Sequence, residues 1–328
     1  MQKTMERLPG VLLAAAAAVP AYIIGKFFPI VGSPVLGILF GMLLAFWRRP
    51  KALDPGISYT SKKILQYSII LIGFDMNLFR VARTGGQTLL LMAFTLAAAF
   101  LTAYLLGRAL KVDKNANVLI GVGTAICGGS AIAATAPVIG ARDDEVAQSI
   151  STIFLFNIIA AFLFPFLGHL MGMSDAGFGL WAGTAINDTS SVVAAGYTFS
   201  SAAGDLAVIV KLTRTLMIVP VTLALALYTS RRRAREASYS FAKIFPWFVL
   251  GFLAASVIGT FLPVPASVLK ALVAVGKFMI VMAMAAIGLN TNLVKLLKNG
   301  WRPMALGLGC WFVLAAVSIL AQKALGLG

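Results

Sequence analysis

Residues 117–140 read Asn117-Val-Leu-Ile-Gly-Val-Gly-Thr-Ala-Ile-Cys-Gly-Gly-Ser-Ala-Ile-Ala-Ala-Thr-Ala-Pro-Val-Ile-Gly140. The stretch is apolar over a length sufficient for a bilayer, which takes about 20 residues in a helix. Its middle, Gly123-Thr-Ala-Ile-Cys-Gly-Gly-Ser-Ala-Ile-Ala-Ala134, consists of glycines and small residues that weaken a helix. A second copy, Gly183-Thr-Ala-Ile-Asn-Asp-Thr-Ser-Ser-Val-Val-Ala194, keeps six of the twelve residues. The pair predicts two interrupted apolar helices. Each interruption frees backbone N–H and C=O groups at membrane depth, which protein or a water-filled cavity must satisfy. The N-terminus of each second half carries partial positive charge and suits an anion. Close helix packing explains one such stretch as well as a site does; two matched copies favour a site.

The rest of the chain supplies the membrane context. Of 328 residues, 60% are hydrophobic and 12% charged, and the mean hydropathy is +0.93. Soluble domains are about half apolar and about a quarter charged, so a soluble enzyme is excluded. Two cysteines exclude a disulfide scaffold. Long apolar runs without alternation exclude a membrane β-barrel. The expected fold is an all-α polytopic membrane protein of about 10–11 transmembrane helices, with internal inverted repeats and two helices interrupted near mid-membrane. Eleven apolar segments are predicted, near 10–29, 33–47, 63–79, 87–107, 117–140, 146–171, 178–200, 205–229, 244–262, 267–288 and 303–325. They fill residues 1–328 as one integral membrane domain, with no soluble domain. The first resembles a signal peptide through Lys3, Arg7 and Ala18-Val-Pro-Ala21, but its apolar run continues through Ile24 and favours a retained helix.

The net charge of +16 comes from 27 Lys and Arg against 11 Asp and Glu. The clusters Arg48/Arg49/Lys51/Lys62/Lys63, Arg108/Lys111/Lys114, Arg231/Arg232/Arg233/Arg235/Lys243 and Lys295/Lys298/Arg302 fall on one side if the N-terminus is cytoplasmic. Arg80 and Arg83 then lie outside. They belong to a further repeat: Ile72-Gly-Phe-Asp-Met-Asn-Leu-Phe-Arg-Val-Ala-Arg-Thr-Gly85 resembles Ile287-Gly-Leu-Asn-Thr-Asn-Leu-Val-Lys-Leu-Leu-Lys-Asn-Gly300. Read in opposite directions, such a pair marks an inverted-topology transporter. Eleven straight crossings set this pair opposed but the two Gly-Thr-Ala copies parallel. A re-entrant hairpin, or one coincidental similarity, resolves the conflict.

Ionisable groups deep in apolar segments are costly and usually functional. Lys211 and Arg214 share one helical face at spacing i, i+3. Lys277 is central in its segment, Asp188 falls at the second break, Asp75 is shallower, and Asn157 lies within the sixth segment. Asp188 paired with Lys211 or Arg214 would pin helices, yet it does not balance three cations. The excess positive charge points to an anionic solute. Lys211, Arg214 and Lys277 are the candidate anion ligands or charge compensators. Thr124, Gly128, Gly129, Ser130, Thr184, Asn187, Thr189 and Ser190 are the candidate hydroxyl, amide and backbone donors. Asp188 is the candidate coupling residue. On this reading Arg214→Ala abolishes transport while the protein stays folded.

Other signals carry little. The glycines of 121–128 lack dinucleotide spacing, and no Walker motif is present. His169 stands alone as the single histidine, so neither metal nor cofactor is expected. Cys127, Ser130 and Ser190 lack an evident base. Gly37/Gly41, Gly168/Gly172 and Gly179/Gly183 have the GxxxG spacing of packed helices.

Gly123–Ala134, Trp181–Gly196, Val210-Lys-Leu-Thr-Arg-Thr-Leu-Met-Ile-Val-Pro220 and Ala285–Thr291 together resemble the YeiH-type family of bacterial inner-membrane proteins, named for a sulfate export that is itself a prediction. The resemblance covers nearly the whole chain. It implies kinship with the cation/proton antiporter and anion transporter group, broken helices in inverted repeats, a homodimer and an elevator-type cycle. The expected function is therefore secondary export of a small anion, sulfate or a related sulfur oxyanion or organosulfonate. The expected partners are that solute, H⁺ or Na⁺ as coupling ion, and the lipid bilayer, with no nucleic acid. A Na⁺- or H⁺-coupled organic-anion importer is the nearest alternative. A non-transporting membrane subunit and an intramembrane enzyme are the alternatives from other classes; enzymatic activity is not expected.

Overall fold

The computed structural model describes residues 2–27, 32–46, 49–230, 247–291 and 300–327. Among them every regular element is helical. In chain order these are α1 (Gln2–Phe27), α2 (Ser33–Ala45), α3 (Asp54–Tyr59), α4 (Leu65–Gly73), α5 (Leu78–Ala109), α6 (Lys114–Ala125), α7 (Gly129–Ile139), α8 (Asp143–Leu170), α9 (Asp175–Ala185), α10 (Thr189–Phe199), α11 (Ser201–Leu216), α12 (Ile218–Ser230), α13 (Trp247–Phe261), α14 (Ala266–Asn290) and α15 (Trp301–Leu325). A 3₁₀ turn (Lys51–Leu53) leads into α3, and a π turn (Thr60–Ile64) joins α3 to α4. The basic positions Arg48, Arg231, Arg232, Arg233, Arg235, Lys243, Lys295 and Lys298 lie outside the described residues. So does most of the second copy of the Ile-Gly repeat.

Six helical stretches are long and apolar enough to cross a membrane: Glu6–Gly25, Leu78–Ala109, Asp144–Leu170, Ser201–Leu225, Ala266–Asn290 and Trp301–Leu325. Shorter apolar helices at Ser33–Ala45 and Trp247–Phe261 pack among them. Leu89, Leu90, Phe94, Leu101 and Leu105 are exposed along α5. That is the face a lipid environment covers, since water would penalise so continuous an apolar stripe.

Glycines set the closest helix contacts. A Cβ on Gly41 of α2 would stand 2.1 Å from the Ala285 carbonyl of α14, and one on Gly37 would stand 3.0 Å from that of Val281. Gly179 and Gly183 of α9 do the same against Ala203 and Val210 of α11. Two of the three GxxxG pairs are thus backbone-contact faces. In the third, Gly168 is filled by Phe178, whereas Gly172 faces open space.

The two interrupted segments do not run straight through. Each folds back on itself. Asn115 at the start of α6 donates to Glu145 at the start of α8 (3.0 Å), although all of α7 lies between them. Ser200, after α10, donates to Asp175 at the start of α9 (2.7 Å). A straight helix over the same residues would part Asp175 and Ser200 by roughly 37 Å. So α6–α7 and α9–α10 are hairpins, and α8 runs from the open end of the first to the open end of the second, where Gly168 meets Phe178 and Phe199. α6 runs alongside α8 in the same direction, through the Asn115–Glu145 and Ala116–Ser149 bonds. α9 runs alongside α11 in the same direction, through the glycine contacts above. Each unit is therefore a hairpin followed by a crossing helix, and the two units are inverted relative to each other. Of the two ways out of the conflict that straight crossings created, the re-entrant hairpin is the one found, and it is found in both Gly-Thr-Ala copies. Two hairpins leave the parity of the remaining crossings unchanged, so the Ile-Gly copies stay opposed.

Candidate functional site

The hairpin tips meet in the middle of the fold. In the first, α6 ends at Ala125 with Ile126 as its C-cap, and Gly128 takes a positive φ, φ 68° and ψ −129°, at the start of α7. A side chain there would be strained, so glycine is required. The turn is closed by a Gly128 N–H bond to the Gly123 carbonyl (2.9 Å). In the second tip, Ile186 and Asp188 are extended. Asn157 of α8 holds that shape: its Oδ1 accepts from the N–H groups of Asn187 (3.2 Å) and Asp188 (3.1 Å).

Lys211 and Arg214 of α11 lie between the tips and are fully buried. The Lys211 ammonium donates to the carbonyls of Ile126 (2.7 Å), Ile186 (3.1 Å) and Asn187. The Arg214 guanidinium donates through Nε to Ala125 (2.7 Å), through one terminal nitrogen to Thr184 (2.6 Å) and Ile186 (3.4 Å), and through the other to Thr124. Both cations are consumed by the carbonyls that the C-terminal ends of α6 and α9 leave unpaired. They also oppose the negative ends of those two helix dipoles. The expectation that the buried cations lack partners, and that a solute must supply them, is corrected: backbone oxygens supply them. All three ammonium hydrogens are engaged, so Lys211 has none left for a solute.

Asp188 makes no ion pair with either cation within 4.0 Å. It is the N-cap of α10, and its Oδ2 accepts from the Ser190 N–H (2.9 Å) and from the Ser190 hydroxyl. The positive end of α10 is thereby balanced by a resident carboxylate. The equivalent position at α7 is Gly128, and α7 has no side-chain cap. A Cβ on Gly129 would meet nothing within 4 Å, and Ser130 beside it is exposed. Of the four half-helix ends at the junction, three are compensated, and the positive end of α7 is open.

Polar groups converge on that open end. A Cβ on Gly128 would lie 3.4 Å from the Asp188 Cβ and 3.5 Å from Asn157 Nδ2. Asn157 is 2% exposed; its Oδ1 is occupied as described, while its Nδ2 donates to no protein group. Asn187 is 1% exposed, and neither atom of its amide has a partner; the Thr124 hydroxyl is likewise buried and unpaired. Buried polar groups without partners are few in native proteins.

The remaining predicted residues divide. Thr189 opens α10 half-buried beside Asp188. The Thr184 hydroxyl is spent on Leu180 (2.6 Å) and on Ser318 of α15 (2.6 Å), so only its carbonyl takes part, through Arg214. Lys277 is not at the junction. It donates to Ser201 (3.2 Å) and stands 5.5 Å from the Tyr197 ring centroid, whose hydroxyl donates to Asp205 (2.6 Å). Ser201 precedes Lys211 by ten residues, about 15 Å along the helix. Lys277 thus belongs to a separate polar cluster at the open end of the second hairpin. His169 stacks on Phe199 with ring centroids 4.3 Å apart. Sequence reasoning noted Asn157 without giving it a role; its position midway along α8, between two hairpins, was the available signal.

Comparison with known proteins sets the chain among membrane proteins. The family described as Conserved hypothetical protein 698 matches residues 9–307. A UPF0324 membrane protein of Streptococcus pyogenes serotype M18 is 51% identical, with 100% of each chain covered. One from Fusobacterium nucleatum is 46% identical over 98% of this chain and 99% of its own. One from Streptococcus agalactiae serotype V is also 46% identical, over 98% of each. With six apolar helices of spanning length among the described residues and a full-length match to relatives named as membrane proteins, the chain belongs to the UPF0324 family of membrane proteins, that of Conserved hypothetical protein 698.

Proposed function

We propose that the protein is a secondary transporter of a small oxyanion, a sulfonate, carboxylate or sulfur oxyanion, bound at the open N-terminus of α7 between the two hairpin tips. One observation carries the reading: three of the four half-helix ends have a resident partner and the positive end of α7 has none. Gly129 leaves room there. The Gly128 N–H is already bonded to the Gly123 carbonyl, so Gly129 and Ser130 offer the backbone N–H groups, and Asn157 offers its free amide hydrogens. Inverted units meeting at mid-membrane around irregular backbone are the arrangement of many secondary transporters. The protein acts as a solute carrier and not as an enzyme, in a plasma membrane with its N-terminus cytoplasmic, as the basic loops indicate. Imposed Na⁺ and pH gradients would identify the coupling ion and the direction.

The test is saturable flux of labelled methanesulfonate, sulfite and sulfate in proteoliposomes, comparing wild type with Gly129→Leu. The leucine enters open space on a helical residue, so unfolding temperature is expected to hold while flux falls by at least about tenfold. Wild-type vesicles that carry none of these anions, with no anion raising the unfolding temperature of the pure protein, would sink the proposal.

A further inference from the structure

We propose that the solute carries a single negative charge at the tips, so that a monoanion such as a sulfonate or carboxylate is the substrate class and a dianion such as sulfate is rejected. This rests on the anion-binding reading above and adds a charge balance to it. Lys211 gives three hydrogen bonds to three carbonyls, which only the protonated amine can do. Arginine is always charged. Asp188 only accepts, from Ser190 N–H and Ser190 Oγ, as an ionised carboxylate does. The four half-helix ends are two positive and two negative, and cancel in pairs at about half a charge each. Two cations against one carboxylate leave one positive charge. The charged side chains acting on Lys211 are Arg214 and Asp188, with the Cys127 thiol beside them. One unit of solute charge makes the junction neutral. A second unit leaves a net negative charge in a buried, low-dielectric place, which is costly.

The donor set agrees. The side-chain donors nearest the open end are neutral: Asn157 Nδ2, 3.5 Å from where a Gly128 Cβ would stand, and the unpaired Asn187 amide and Thr124 hydroxyl. Lys211 is fully engaged by carbonyls, and four of the five Arg214 N–H groups are engaged in the same way.

The experiment measures ligand-induced stabilisation and inhibition of flux in the purified full chain, with methanesulfonate and sulfate as probes. Wild type is expected to prefer methanesulfonate by about tenfold or more. Asp188→Asn keeps a side-chain oxygen able to cap α10 and leaves two positive charges, so the order is expected to invert in favour of sulfate. A second measurement needs no variant. Methyl phosphate changes from monoanion to dianion around pH 6, so on wild type it is expected to bind better at about pH 5 than at about pH 7.5, with methanesulfonate correcting for the protein's own titration. Equal or better binding of the dianionic forms by wild type would overturn the charge inference and leave the anion-transport reading standing. Failure of every anion to bind would overturn both.

Discussion

Arg214 is the residue whose reading changes most between sequence and structure. A buried arginine near mid-membrane reads as a ligand for something negative. In the fold it is a donor to carbonyls of both hairpins. Carbonyl oxygens carry no residue identity, so nothing in the sequence marks where a break will present them. Arg214→Ala leaves the carbonyls of Thr124, Ala125 and Thr184 without a donor. At about 1–3 kcal/mol for each buried unsatisfied group, we expect the variant to lose at least about 3 kcal/mol and to unfold early in a thermal melt. A wild-type melting profile for Arg214→Ala would refute the clamp. This replaces the expectation of a folded but inactive variant. Lys211 and Arg214 were legible as a pair on one face; what they face was not. The Gly128–Asp188 contrast was legible as a mismatch between two copies of a motif, and it acquires meaning only once both positions are seen to begin a half-helix.

The hairpins show where element-level reading stops. The 24-odd residues of each interrupted segment fit one straight crossing or two half-length arms equally well, because hydropathy reports depth and not direction. The decision rests on polar pairs at the open ends, Asn115 with Glu145 and Ser200 with Asp175. Those residues sit in loops and first turns, at or beyond the edges of the apolar windows. A double variant Asp175→Cys/Ser200→Cys, made with Cys127 and Cys310 replaced, is expected to cross-link efficiently with a short thiol reagent. A straight α9–α10 helix would keep the two thiols roughly 37 Å apart, and no cross-link would form. The second hairpin is also anchored from outside. Trp181 of α9 stacks on Phe164 of α8, with centroids 4.1 Å apart, and its ring N–H donates to Ala315 of α15 (3.0 Å).

At the scale of the whole molecule, hairpins in place of crossings reverse the sides of two loops. With a cytoplasmic N-terminus, eleven straight crossings put Ala141 outside and Met171 inside. Two hairpins put Ala141 inside and Met171 outside. Single cysteines at these positions, in a background lacking Cys127 and Cys310, are expected to be labelled by an impermeant thiol reagent in intact cells at Met171→Cys and not at Ala141→Cys. The opposite pattern would contradict either the hairpins or the basic-loop orientation, and the Asp175/Ser200 cross-link tells which. The overall class, helical and polytopic, followed from composition alone, since so apolar a chain has no water-compatible way to fold. Inverted repeats were legible in the opposed Ile-Gly copies, whereas the inversion of the two Gly-Thr-Ala units needed the coordinates.

If the protein is the transporter proposed above, riveting both tips to one helix restricts how cargo can pass. Prising the first tip away from α11 would break the bonds from Lys211 and Arg214 to its three backbone oxygens, those of Thr124, Ala125 and Ile126, each charge-assisted bond worth about 1.5–3 kcal/mol. A passage that opened and shut like jaws would pay that toll on every turnover. The cheaper route keeps the rivet closed and slides α6–α11 bodily past the neighbouring helices, like a lift car in its shaft. On such a route the sliding surface would include the places where the backbone of Gly32 lies against Thr198 and Lys277 reaches across to Ser201.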